Sequence, residues 1–141
     1  MGDRPAEVED LVTRIAAWAR TRPDIRAVAL VGSWARGQAG PDSDVDVVVL
    51  TDDPPAYLDR SEWAAEIGGE LIVTRPWGAI TERRLRLPSG LEVDVGVGRP
   101  SWAAIDPADP GTRAVVQAGL KIIHDPEGML AALAAASAQR P

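Results

Sequence analysis

Between Gly32 and Leu50 the chain reads GSWARGQAGPDSDVDVVVL, and this stretch limits the fold more than any other. It begins where an apolar run, Val28 to Val31, stops at a glycine. It ends in a second apolar run, Val45 and Val47 to Leu50, into which Asp44 and Asp46 are set. Alternate residues of a strand leave the same face. Asp44 and Asp46 therefore share one face, and Val45, Val47 and Val49 fill the other. A buried carboxylate without a partner is costly, and two of them repel unless a cation lies between. Mg²⁺ suits such a place, because it takes hard oxygen ligands from one or two carboxylates and from substrate phosphates. Two such ions, ~4 Å apart, would activate an attacking oxygen and stabilise a leaving pyrophosphate.

Gly32 and Ser33 supply a complementary half. A strand that ends in glycine lets a ligand come close to the backbone. A helix start just beyond offers free N–H groups to an anion, and the Ser33 hydroxyl adds a donor. Arg36, about one turn on, brings a guanidinium within reach of a phosphate. Ser43, beside Asp44, is counted with Gly32, Ser33 and Arg36 in the nucleotide-binding set. Gly37 permits the turn back to Asp44. A third carboxylate is expected from another strand. Asp94, in Leu91-Glu92-Val93-Asp94-Val95, is the best placed, to share a metal and act as base toward an acceptor hydroxyl. Glu92 and Glu70 are the alternatives.

The remaining pattern predicts a mixed β-sheet flanked by helices, of the α/β or α+β class. A helix is expected over Pro5 to Arg20, with Val8, Leu11, Val12, Ile15 and Trp18 on one face. Strands follow at Ile25–Val31 and Asp44–Leu50, with a short helix opened by Ser33 to Arg36. A helix over Tyr57 to Ile67 ends at Gly68-Gly69. A strand over Glu70 to Thr74 is followed by a Pro76-Trp77-Gly78 loop. Ile80–Leu87 and Leu91–Val97 read as a hairpin. A short helix at Ser101–Ile105 and a helix at Thr112–Ala118 come next. A short strand at Leu120–Ile123 leads into a last helix, capped by Asp125 with Pro126 in its first turn.

The length of 141 residues suits one domain. A net charge of −6 argues against a large nucleic-acid partner. The absence of cysteine excludes thiolate zinc sites and cysteine nucleophiles. No secretory signal and no membrane-length apolar run is visible, so a cytoplasmic protein with no membrane association is expected.

Several sharper readings fail on their residues. Asp42-Ser43-Asp44-Val45-Asp46 starts like a calcium loop, but Val47 stands where glycine is needed. Gly96-Val97-Gly98 lacks the third glycine of a dinucleotide loop. His124 reads as structural. Trp34, Trp77 and Trp102 are candidates for stacking on a base. Arg83, Arg84 and Arg86 read as one wet strand face that could also steer an anion.

The pattern GSWARG, SDVDVVV and then EVDV resembles the nucleotidyltransferase superfamily related to DNA polymerase beta. It is similar to the small stand-alone minimal nucleotidyltransferases and to the catalytic domains of antibiotic nucleotidyltransferases. The resemblance implies one nucleotidyltransferase domain over 1–141. It implies Gly32 and Ser33 on the triphosphate, Asp44 and Asp46 as metal ligands, and Asp94 sharing one metal and deprotonating the acceptor. The implied cofactor is a pair of Mg²⁺ ions, with Mn²⁺ as a substitute. The implied reaction moves a nucleoside monophosphate from a nucleoside triphosphate, ATP in the first instance, to a hydroxyl of a small molecule or protein. Many such enzymes carry a further helical domain for the acceptor, whereas only a short helix is expected here after Asp125. A homodimer or a helical partner protein would then complete the acceptor site. The alternatives are an antitoxin-type protein that binds or adenylylates a helical toxin, and a nucleotide-binding pseudoenzyme.

Overall fold

The computed structural model describes residues 3–138, with Trp77 by its backbone alone. Helix α1 (Arg4–Arg20) starts at Asp3, whose carboxylate accepts the Ala6 N–H, and has Pro5 in its first turn. Its buried residues, Val8, Leu11, Ile15, Trp18 and Ala19, recur at helical spacing. Strand β1 (Ile25–Val31) follows, then a single helical turn, α2 (Gly32–Ala35), and strand β2 (Val45–Thr51). Two short helices, α3 (Pro55–Leu58) and α4 (Trp63–Ile67), precede strands β3 (Glu70–Trp77), β4 (Ile80–Arg86) and β5 (Glu92–Gly98). A 3₁₀ turn (Pro100–Ala103), helix α5 (Pro110–Ala118), strand β6 (Leu120–His124) and helix α6 (Met129–Ala138) complete the order.

The six strands form one mixed sheet in the order β3-β4-β5-β2-β1-β6. β2 and β5 run parallel, and the other pairs are antiparallel. Val45, Val47 and Val49 of β2 and Val93, Val95 and Val97 of β5 face one core, filled by α1 and by Tyr57, Trp63 and Ile67. Ala27, Ala29, Val48 and Leu50 face a second core, closed by Ala103, Leu130 and Leu133. Helices thus cover both faces, and the central strands are apolar on both sides, as buried strands require.

Four expectations are corrected. The single helix expected from Tyr57 to Ile67 breaks at Asp59–Glu62. The Arg83 guanidinium takes the carbonyls of Tyr57 and Leu58, each at 2.7 Å, and the Trp63 indole N–H also bonds Tyr57 and Arg60. Carbonyls held from the side chain no longer continue the ladder. Arg83 is buried and points away from Arg84 and Arg86, so the three arginines do not form one wet face. β3 runs on to Trp77, because an edge strand tolerates Pro76 without an unmet donor. The last helix begins at Met129, not Pro126. Asp125 caps it from across a turn, accepting the N–H groups of Leu130 and Ala131 at 3.1 and 3.0 Å.

Candidate active site

Asp46 and Asp94 lie directly opposite each other on the parallel strands β2 and β5. On its other side Asp46 is paired with Val31, the last residue of β1, so it stands next to Gly32. Gly32 has φ +74°, and a Cβ there would lie 2.5 Å from Asp46 Oδ2. Glycine is needed both for the backbone turn and for the approach of this carboxyl group. Burial, with Asp94, Asp44 and Glu82 behind it, pushes the Asp46 carboxyl up to about 7.

Asp94 is only 8% exposed. Its charge is met by Arg84, its neighbour across β4 and β5. The Arg84 Nε donates to Asp94 Oδ1 at 2.7 Å, and Nη2 donates to Oδ2 at 3.0 Å. Arg84 Nη1 bonds Glu92 Oε1 at 2.9 Å, and Nη2 lies 3.3 Å from Asp44 Oδ2. Arg86 takes the other Glu92 oxygen at 3.0 Å. One arginine therefore joins three acids from three chain positions.

A cleft of about 600 Å³ opens over Asp46 and Asp94. Gly32, Arg36 and Glu82 are among its polar lining, and Ile80, Trp102 and Val115 are among its apolar lining. Gly96 forms part of its wall, two residues beyond Asp94 on the same strand face. The cleft lies on the sheet face covered by α5 and the 3₁₀ turn. Asp109 caps α5 by accepting the Thr112 N–H at 3.0 Å, at one edge of the opening.

Of the residues singled out from sequence, Gly32, Arg36, Asp46 and Asp94 border this cleft. Asp44 precedes β2 by one residue and borders a smaller pocket of about 240 Å³, together with Ser43, Arg4 and Glu92. It is tied to the central acids through Arg84. The Ser43 hydroxyl accepts the Gly40 N–H at 2.9 Å, and its carbonyl accepts the Trp34 indole N–H at 3.2 Å. Both bonds fix the loop between α2 and β2. Ser33 lies within α2, and its carbonyl accepts the Gln38 N–H at 2.9 Å. Arg36 donates to Gln38 Oε1 at 2.9 Å. Trp102 borders the cleft, Trp34 packs on the core, and the side chain of Trp77 lies outside the described residues. Glu92 is held by arginines, and Glu70 is paired with Arg86 near the far edge of the sheet.

Sequence reasoning missed Glu82 and Arg84 as site residues. The signal was present in the hairpin: a turn at Pro88-Ser89-Gly90 sets Arg84 opposite Asp94 and Glu82 opposite Gly96. Among the described residues no three acidic or imidazole side chains converge on a metal position as they stand. Asp46 and Asp94 nevertheless offer adjacent hard oxygen donors with an open cleft above them. That donor set fits a hard divalent cation completed by ligand oxygens.

The sequence profile of the nucleotidyltransferase domain matches residues 13–96, more than half of the chain. The chain belongs to the nucleotidyltransferase domain family. The matched span runs from within α1 to β5 and includes Gly32, Asp44, Asp46 and Asp94. No curated relative matches the chain. Among solved structures, a cytoplasmic RNA terminal U-transferase aligns over 80% of this chain and 30% of its own, at 23% identity and TM-score 0.49. The Cid1 poly(U) polymerase aligns over 65% and 28%, at 22% identity and TM-score 0.43. Terminal uridylyl transferase 4 from Trypanosoma brucei, with bound UTP and UMP, aligns over 92% and 38%, at 15% identity and TM-score 0.39. This chain spans about a third of the length of those proteins. Among the described residues no helix is long and apolar enough to cross a membrane.

Proposed function

We propose that this chain transfers a nucleoside monophosphate from a nucleoside triphosphate to an acceptor hydroxyl. The observation that supports it best is the pair Asp46 and Asp94, side by side on parallel strands, against Gly32 and beneath a cleft. Asp46 and Asp94, with Asp44, hold Mg²⁺ or Mn²⁺ in this reading. The bound cation supplies positive charge to the triphosphate and to the oxygens that gain charge in the transition state. The Gly32 and Ser33 N–H groups, the Ser33 hydroxyl and the Arg36 guanidinium take phosphate oxygens. The acceptor oxygen forms a bond to the α-phosphorus, and the bond from that phosphorus to the bridging oxygen breaks. Pyrophosphate leaves, and the hydroxyl proton passes to Asp94. The apolar side chains that border the cleft, among them Ile80, Trp102 and Val115, offer a surface for a base or acceptor ring.

The test supplies the protein with each of four labelled nucleoside triphosphates, Mg²⁺ and a pool of metabolites and lysate proteins. Mass spectrometry is expected to find a nucleotide-sized mass gain on one acceptor, with pyrophosphate released. Asp46→Asn and Asp94→Asn are each expected to lower the rate at least ~10³-fold with the circular dichroism spectrum unchanged. Full transfer by both variants overturns the assignment.

A further inference from the structure

The Asp94 carboxylate, which borders the cleft, is already engaged within the protein. Arg84 and Asp94 form a two-bond fork at 2.7 and 3.0 Å, and it engages both oxygens of the carboxylate. Such a fork is among the most geometrically specific of ion pairs. The same guanidinium holds Asp44 and Glu92. It therefore covers two of the three acids assigned above to a cation, and Asp46 is the third.

We propose that Arg84 is a latch on the cation site, a resident positive group that holds Asp94 and Asp44 until a divalent cation displaces it. The inference rests on reading Asp46 and Asp94 as cation ligands. Three features favour displacement over permanent pairing. A cation shared by Asp46 and Asp94 needs oxygens that Arg84 now occupies. Release leaves Arg84 with a partner, because Glu92 is bonded through a separate nitrogen, Nη1, at 2.9 Å. The side chain of Arg84 is 28% exposed against 11% for Asp94, so the arginine is the member with room to swing. A latch of this kind holds Asp94 in place when no cation is present.

A purely structural arginine and a latch predict opposite effects on metal affinity. If Arg84 only orients Asp94, its removal weakens cation binding. If it competes, its removal strengthens binding. The experiment uses chelator-stripped protein without nucleotide and titrates Mn²⁺, read as free Mn²⁺ by electron paramagnetic resonance and by calorimetry. Arg84→Gln is expected to bind Mn²⁺ at least ~10-fold more tightly than the wild type, the ratio that marks a clear difference in affinity. Its melting temperature without metal is expected to fall by about 4 °C and to recover with Mn²⁺. Arg84→Lys keeps the charge but not the fork, and it is expected to bind with intermediate affinity. It also carries the test if the glutamine variant does not fold. Equal or weaker Mn²⁺ binding by the folded variants overturns the latch and leaves the cation site standing. Absence of Mn²⁺ binding from wild type and variants alike overturns the latch and the cation site together.

Discussion

A methyl group added at Gly32 would meet two separate obstacles. The backbone is at φ +74°, where a Cβ crowds its own carbonyl, and the new atom would lie 2.5 Å from Asp46 Oδ2. Gly37 isolates the first obstacle, since it has φ +71° and nothing within 4 Å of an added Cβ. Gly37→Ala is expected to lose about 1 kcal/mol, the penalty for the left-handed conformation alone. Gly32→Ala is expected to lose about 2 kcal/mol or more, because the Asp46 carboxyl must also move. Urea unfolding checks both, with a lower midpoint and an unchanged slope. Equal losses at the two glycines would mean that Asp46 yields freely. At this scale the sequence was informative about Asp44, Asp46 and Asp94, because carboxylates set into valine strands are costly unless positive charge meets them. It was silent on which way Asp44 turns, since that depends on Arg84, forty residues further along.

Adjacent residues of β4 show how one strand serves two layers. Arg84 turns to Asp94, whereas Arg83 enters the opposite core and is 5% exposed. Burial holds the Arg83 guanidinium below the usual arginine range. It is retained because it satisfies the last carbonyls of α3, Tyr57 and Leu58, at 2.7 Å each. Arg83→Met keeps most of the apolar stem, leaves the Leu58 carbonyl without its donor and leaves the Tyr57 carbonyl with the Trp63 indole N–H alone. The expected loss is about 2–3 kcal/mol, the range for hydrogen bonds to a charged group. Arg86→Met, on the exposed end of the same strand, is expected to change stability by less than ~0.5 kcal/mol. Denaturant melts of the two variants decide the point, and equal effects would remove the role given to Arg83. The same contact explains where element reading from sequence went wrong. Strand alternation and helical spacing reveal β1, β2, β5 and α1, whose partners are dictated by their own apolar faces. The break between α3 and α4 is imposed by a side chain from a distant strand, so local propensity carries no trace of it. The cleft was hidden for the same reason: Glu82, Trp102 and Val115 meet only after the sheet order is known.

On the scale of the molecule, negative charge is concentrated where the fold also buries it. The chain carries a net charge of −6, and Asp46, Asp94, Glu82 and Asp109 all border one cleft that Arg36 also borders. Without a cation this concentration opposes folding near neutral pH. The Asp46 carboxyl is raised from 3.8 to about 7, first by burial and then by Asp94. Between those values the folded chain keeps a proton that the unfolded chain has released. The folded state therefore binds more protons, and stability contributed by this group falls as pH rises through that window. Above the folded value the contribution is constant. Part of the carboxyl remains in contact with solvent, which screens the effect, so the expected change is about 1–2 kcal/mol. In chelator, the melting temperature is expected to be higher at pH 5 than at pH 8. Asp46→Asn is expected to remove most of that difference and to be more stable than the wild type at pH 8. A cation bound at Asp46 must find it deprotonated. Mg²⁺ added at pH 6 is therefore expected to release close to one proton, read as a dependence of the calorimetric heat on the ionisation heat of the buffer. A binding heat independent of buffer, or a wild type equally stable at pH 5 and pH 8, would show that Asp46 is already charged in the free protein.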